Sequence, residues 1–403
     1  MQVLRFSEFE THIENGKVGD LIETLNSGVS VNSYDYPIEN DESTGILKTS
    51  SISNGFFFVG ENKKVIEGDL QRVKNSLKKD TILVSRMNTP ALVGEVGYID
   101  KNYDNLFVPD RLWVLKANDK CVPKWLTYML IAPRTKSAIK NRATGTSASM
   151  KNISKPSFLN IKIPIPYYKE QQKIADFLSS VDKKISLLKE KHALLTQYKK
   201  GVMQKLFKQK IRFKDDNGND FPDWQDEKLG KWLEEYKAKS TEENQFEVLT
   251  SSRTGLMKQS DYYGEGRITE RSNLGFNVIP SGYLTFRSRS DDRQFFFNLN
   301  ELGYTGIIST YYPVFKMNND QNKFFIELSR FHKNRFGRQA VGTSQVVLSF
   351  NELKNIKFAM PCTEEQAKIA EFARALDKKL AAVDQQIELT QTFKKGLLQQ
   401  MFV

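Results

Sequence analysis

Residues Pro166–Phe207 read PYYKEQQKIADFLSSVDKKISLLKEKHALLTQYKKGVMQKLF, and residues Pro361–Phe402 read PCTEEQAKIAEFARALDKKLAAVDQQIELTQTFKKGLLQQMF. They align without a gap at an offset of 195 residues, with 16 identities in 42 positions. A repeat of this length constrains the fold more than any local propensity, because both copies must adopt one structure. Neither copy has an internal proline, and each begins on one. In the first copy Ile174, Leu178, Val181, Ile185, Leu188, His192 and Leu195 recur at alternating spacings of four and three. The second places Ile369, Ala373, Leu376, Leu380, Val383, Ile387 and Thr390 at the same positions. This is a heptad seam, and it predicts a long helix in each copy. Glu170, Glu364 and Glu365 fall in the first turns, where carboxylates favour the positive end of the helix dipole. From Glu170 to Phe207 such a helix would span roughly 57 Å at 1.5 Å per residue. A seam that long has to be buried, and the other copy is the obvious partner.

The duplication continues upstream in weaker form. Asn160-Ile161-Lys162 matches Asn355-Ile356-Lys357, and Gly145-Thr146-Ser147 matches Gly342-Thr343-Ser344. Ser85-Arg86 lies opposite Phe286-Arg287, and Thr49-Ser50-Ser51 opposite Thr250-Ser251-Ser252. The order is kept while the offset drifts. Short β-rich runs (GFFFVG, TILVS, LWVL, GYLTF, YYPVF) are separated by turn signals, and helical stretches are predicted at Pro123–Asn141 and Gln321–Arg338. The predicted fold class is therefore α+β, a tandem duplication of a globular α/β domain followed by a long helix. The boundaries read 1–165 for the first globule, 166–208 for its helix, 209–360 for the second globule and 361–403 for its helix. Ile211–Trp224 reads as a polar, solvated linker.

With 39% hydrophobic and 27% charged residues, the chain is neither disordered nor collagenous. No apolar run approaches the ~20 residues of a membrane helix, and Arg5, Glu8 and Glu10 rule out a signal peptide at MQVLRFSEFE. Cys121 and Cys362 cannot build a disulfide framework, so the chain reads as intracellular and cytoplasmic, with no membrane partner. Sixty Lys and Arg against 48 Asp and Glu leave a net charge of +12, which favours a polyanionic partner.

An active site is not legible. There is no phosphate-binding loop, no G-x-G-x-x-G after a strand, and no Pro-Pro pair, which excludes the Pro-Pro-aromatic motif of amino-methylating DNA methyltransferases. His12, His192 and His332 are scattered, with no Cys or His at metal-ligand spacing. His192 reads as a polar seam residue that tunes pairing. Pro222-Asp223 followed by Asp226-Glu227-Lys228 imitates a nuclease pattern, yet all its carboxylates sit in one short segment rather than on converging strands. No catalytic residue and no metal site are expected.

Each half ends with G-T-S, then an N-I-x-I/F-x-x-P strand exit, then P-x-x-x-E-Q-x-K-I-A-x-F and a helix closing on K-K-G-x-x-Q-x-x-F. Over essentially the whole chain this resembles the specificity subunits of type I restriction–modification enzymes. The resemblance implies that each globule is a target-recognition domain reading one half of a split double-stranded DNA site. It implies that the helices pair as an antiparallel coiled coil and that two methyltransferase subunits dock on the chain, with ATP-dependent translocase–nuclease subunits joining in the full enzyme. It also implies adenine-N6 methylation by the partners, with S-adenosylmethionine, ATP and Mg²⁺ bound there and no cofactor on this chain.

Reading DNA needs Arg, Lys, Asn or Gln at base edges, and hydroxyls or amides on phosphates. In the first globule the candidates are Thr49, Ser50, Ser51, Arg86, Asn88, Arg142, Thr146, Ser147 and Lys151. In the second they are Ser251, Ser252, Arg253, Arg287, Arg289, Arg293, Arg338, Thr343, Ser344 and Gln345. Gly145 and Gly342 read as turn glycines. A coiled-coil scaffold that reads no DNA, and a self-sufficient metal-dependent nuclease, are the alternatives.

Overall fold

The computed structural model describes residues 4–9, 13–147, 149–264, 272–343 and 345–402; the side chains of Thr146 and Ser147, and all of Ser344, lie outside that description. The two long helices run Tyr168–Phe207 and Thr363–Met401. Contacts divide the chain into two units, Met1–Lys189 with Gln385–Val403, and Glu190–Asp384. The division cuts through both helices instead of falling at their ends.

In the first unit the head of the first helix carries Ile174, Leu178, Val181 and Ile185 into a core that also takes Leu397, Leu398, Met401 and Phe402 from the tail of the second helix. The second unit repeats this: Met203, Leu206 and Phe207 from the tail of the first helix join Ile369, Ala370 and Ala373 from the head of the second. The helices are thus antiparallel, and ion pairs fix the register. Asp182 pairs with Lys394, His192 with Asp384, and Lys199 with Asp377, each step forward on one helix matching an equal step back on the other. Asp182–Lys394 and Asp377–Lys199 are the same pair in the two copies. Leu376 and Val383 are also buried, whereas Leu188, Leu195, Leu380 and Ile387 are half-buried. The seam is deepest where a globule covers it.

Both globules repeat one topology. In the first, a four-stranded antiparallel sheet runs in the order Val96–Tyr98, Thr81–Ser85, Leu112–Ala117, Ile22–Ser27. A second sheet pairs Gly45–Leu47 in parallel with Tyr103–Phe107. The second globule has the counterparts: Leu233–Tyr236, Val314–Met317, Leu284–Phe286 and Phe297–Leu299 in one sheet, and Glu247–Ser251 parallel to Gly306–Ile308 in the other. The strand leading into each long helix also pairs alike, Lys162–Ile165 with Glu14–Lys17 and Lys357–Met360 with Gln225–Lys228.

Two predicted helices are each broken in two. The first becomes Pro123–Ile131 and Pro133–Arg142, because Pro133 pushes Ala132 out of helical geometry. The second becomes Asn322–Phe331 and Lys333–Gln339, hinged at His332. GFFFVG keeps only Phe56–Phe57 as strand.

Candidate nucleic-acid interface

In the first unit a small sheet orders the strands Thr144–Ser147, Met150–Asn152 and Met87–Asn88, with Lys151 opposite Asn88. It gathers Arg86, Asn88, Lys151 and the backbone of Thr146 and Ser147; Arg142 closes the helix just before it. A Cβ on Gly145 would stand 2.5 Å from the Met150 carbonyl oxygen, so the tight hairpin requires glycine there. Several candidates are engaged internally. Asn88 donates to Ser85 Oγ (3.2 Å) and accepts from the Thr89 N–H (2.8 Å), Lys151 donates to the Gly145 carbonyl (3.2 Å), and Arg142 to the Ala138 carbonyl (3.3 Å). Arg86 Nε is buried without a hydrogen-bond partner.

Thr49–Ser51 form a 3-10 turn apart from this group. Ser50 donates to Glu61 at 2.6 Å, and that bond, with the Lys48 ammonium beside it, holds the Glu61 carboxyl below its usual range. Ser51 is fully buried, so it serves packing and not an exposed contact.

In the second unit the three candidate stretches do converge. Arg253 reaches Asp292 (2.5 Å), Asn298 donates to Ser251 Oγ (2.7 Å) and the Ser252 carbonyl (2.8 Å), Arg293 donates to the Gly342 carbonyl (3.1 Å), and Gln345 to Asp291 (3.0 Å). Asp292 is held ionised by Ser290, the Gln294 N–H and Arg253, so the arginine-rich loop is braced from within. Arg289–Ser290 pair with Val346–Val347, and Val347 bridges back to Val341. Gly342, at φ +123, turns between them, and a Cβ there would lie 2.6 Å from the Gln345 carbonyl oxygen. Arg287, Arg289, Arg338 and Thr343 are exposed around this turn.

Sequence reasoning missed what surrounds these clusters. Arg5 grips Glu170 with two hydrogen bonds (2.9 and 2.7 Å), and Arg212 grips Glu365 with two (3.2 and 2.7 Å). Phe6 packs on Phe177 as Phe213 packs on Phe372, and Lys173 pairs with Glu8 as Lys368 pairs with Asp216. Leu4 N–H even donates to Gln400 O, in the place of the Ile211–Lys205 bond of the other copy. Short straps before each globule are therefore part of the repeat, and the signal was L-R-F at Leu4 and I-R-F at Ile211. The E-Q of the helix motif is explained with them. Glu binds the strap arginine, while Gln171 and Gln366 donate to the Pro166 and Pro361 carbonyls. Ile211–Trp224 is accordingly not a solvated linker, since Arg212, Phe213 and Trp224 anchor it. Of the nuclease-like acids, Asp223 meets Arg212 at the surface and Glu227 accepts from Trp232 Nε1 (2.7 Å). Among the described residues no group of His, Cys, Asp and Glu is placed to hold a metal ion, and no helix is long and apolar enough to cross a membrane.

A cleft of about 710 Å³ in the first unit is walled by Lys136, Lys140, Lys189, Lys394 and Lys395, with Asp182 the one carboxylate among its lining residues. Lys136 pairs with Glu95 and Lys394 with Asp182, so the wall is in part neutralised from within.

The family model described as the type I restriction modification DNA specificity domain matches residues 11–197 and 230–391, once on each half. The chain belongs to this family. The chain is 26% identical to the type I restriction enzyme MjaVIII specificity subunit of Methanocaldococcus jannaschii over 296 residues, 65% of either chain. It therefore spans about two thirds of that relative's length. It is 23% identical to the putative MjaX specificity subunit of the same organism, over 94% of this chain and 88% of that one. Among solved structures it resembles the S subunit from M. genitalium, with a TM-score of 0.55 and 17% identity over 100% of this chain and 99% of that one. The HsdS subunit from Thermoanaerobacter tengcongensis follows at 0.52 and 14%, over 98% and 97%. These two likenesses are of fold.

Proposed function

We propose that this specificity subunit reads a bipartite double-stranded DNA site, one half with each globule, and holds two methyltransferase subunits on its helices. The observation that carries the reading is the duplication of structure with divergence of surface. Strap, sheets and helix register repeat, while the ribbon residues beside the shared Gly-Thr-Ser differ, Met87 and Asn152 in the first globule against Arg289 and Val347 in the second. A duplication of this kind offers two similar partners equivalent places, while its two globules can read unrelated sequences.

The helices also carry an exposed apolar pair in each unit. Leu194 and Tyr198 are 58% and 53% exposed, and their repeats Leu389 and Phe393 are 61% and 54% exposed. Apolar residues four apart on a helix already packed on its other face are suited to a docking helix. In this reading the partners supply adenine-N6 transfer and bind S-adenosylmethionine, and translocase–nuclease subunits bind ATP and Mg²⁺ in the full cytoplasmic complex. The subunit itself performs no chemistry.

Co-expression with a type I methyltransferase subunit is the test. Two methyltransferases per specificity subunit by native mass spectrometry, and DNA binding by that complex that weakens steeply with salt, are the expected results. A complex that assembles and binds no DNA would favour the scaffold. Cleavage by the lone chain with Mg²⁺ would favour the nuclease.

A further inference from the structure

The second globule presents one short ribbon whose exposed face is not explained by folding. Arg289 lies directly opposite Val347, and Val347 opposite Val341. Residues opposite one another across strands share a face, so these three form a row. Val341 is 63% exposed, Val347 37%, and Arg289 is exposed as well. Tyr311, itself 50% exposed, extends the row, because the Arg289 guanidinium sits 4.2 Å over its ring. Tyr311 is fixed in turn, since Ser288 donates to its carbonyl from both N–H (3.0 Å) and Oγ (2.7 Å).

The neighbouring arginines differ from Arg289. Arg253 is tied to Asp292 and Arg293 to the Gly342 carbonyl. No hydrogen bond or ion pair engages the Arg289 guanidinium among the described residues. Stacking uses its face and leaves its fork of N–H donors unused among the described residues. At the matching ribbon position of the first globule, opposite Asn152, stands Met87, a half-buried side chain with no donor to offer a base. The exposed reader is thus a property of the second half alone.

A two-stranded ribbon fits the major groove, where a guanidinium pairs with guanine O6 and N7 and an apolar side chain meets the thymine methyl. Resting on the DNA-reading role given above, we propose that Arg289, held by Tyr311, reads a guanine in the half-site of the second globule, and that Val347 and Val341 contact the thymine methyl beside it.

The test uses the assembled complex with its methyltransferase and oligonucleotides carrying the mapped site. A second half-site containing no guanine would overturn the proposal at once. Replacing the guanine by 7-deazaguanine, which lacks N7 but keeps O6, should cut methyl transfer by the unaltered complex about 2- to 13-fold, one of the two bonds of a bidentate base contact. Arg289→Ala, which removes both bonds, should lose about 5- to 150-fold on ordinary DNA and nothing further on the deaza substrate. Tyr311→Phe should keep the discrimination and Tyr311→Ala should lower it, and uracil for the adjacent thymine should weaken only complexes that retain both valines. Equal weakening of Arg289→Ala on every sequence would make Arg289 a phosphate contact and overturn base reading. Should Arg289→Ala fail to fold, the deaza substitution decides with the unaltered protein. Loss of the bipartite site itself would instead fault the function proposed above.

Discussion

Replacing Arg212 by Met removes one half of an ion pair whose Glu365 side chain is 0% exposed while Arg212 is 20% exposed. Two hydrogen bonds to the carboxylate go, together with a 2.6 Å bond from Nη2 to the Pro222 carbonyl. Breaking a buried pair from one side costs about 3–5 kcal/mol, because the other charge stays in the interior. Here Trp224 Nε1 still donates to Glu365 at 2.9 Å, and a hydrogen bond to a charged group returns roughly 1.5–3 kcal/mol. The expected loss is therefore about 2 kcal/mol. Arg5→Met, where no indole shares Glu170 among the described residues, should cost about 3–5 kcal/mol. Arg212→Met with Glu365→Gln removes the stranded charge, keeps an acceptor for Trp224, and should return to within ~1 kcal/mol of the parent. Urea unfolding followed by circular dichroism gives the free energies. Hydrogen exchange over Ile211–Trp224 shows whether the strap is what loosens. An Arg212→Met variant within about 0.5 kcal/mol of the parent, or a double variant no better than the single one, would refute the clamp.

Other outcomes follow from the same contacts. Ile185→Asp combined with Leu380→Asp buries carboxylates at repeat-related seam positions, costs several kcal/mol and should abolish recovery of methyltransferase subunits; an intact, active complex would show that this seam is not the packed one. Exchanging residues 1–165 for those of a relative should change one half-site and leave the other, as methylation mapping would record; a change in both would refute independent reading. His332 lies against Phe207, Phe331 and Phe358, where burial, with Arg335 adding repulsion, lowers its pKa to about 4. The unfolded chain therefore binds the extra proton first, so stability is full above pH 6.5 and falls toward about pH 4, by about 2–3 kcal/mol after allowance for partial exposure. His332→Phe should flatten that decline in denaturation measured between pH 7 and 4.5.

The helices were legible because a heptad and a gapless repeat are local, redundant signals. The straps were not, because Arg5 and Arg212 meet carboxylates 165 and 153 residues away, and three-letter matches such as L-R-F and I-R-F are too short to stand out. The break at Ala132 was written in Pro133, but the hinge at His332 has no such marker and is set by packing of its ring among aromatics. Of the candidate DNA contacts, those flanking Gly145 and Gly342 were brought together because a turn glycine marks a hairpin. Ser50 and Ser51 carry a signal that reads two ways: a Thr-Ser-Ser run is equally a turn former, and here Ser50 bonds Glu61 while Ser51 is buried. Which arginines stay available could not be read in advance, since it depends on Asp292 and a carbonyl at Gly342 arriving from elsewhere.

Long-read mapping of adenine methylation, in cells carrying the methyltransferase with and without this chain, tests the central claim most directly. The account predicts a two-part motif with a fixed spacer that is present only with the chain. A methylation pattern indifferent to the chain, or a single uninterrupted motif, would contradict it.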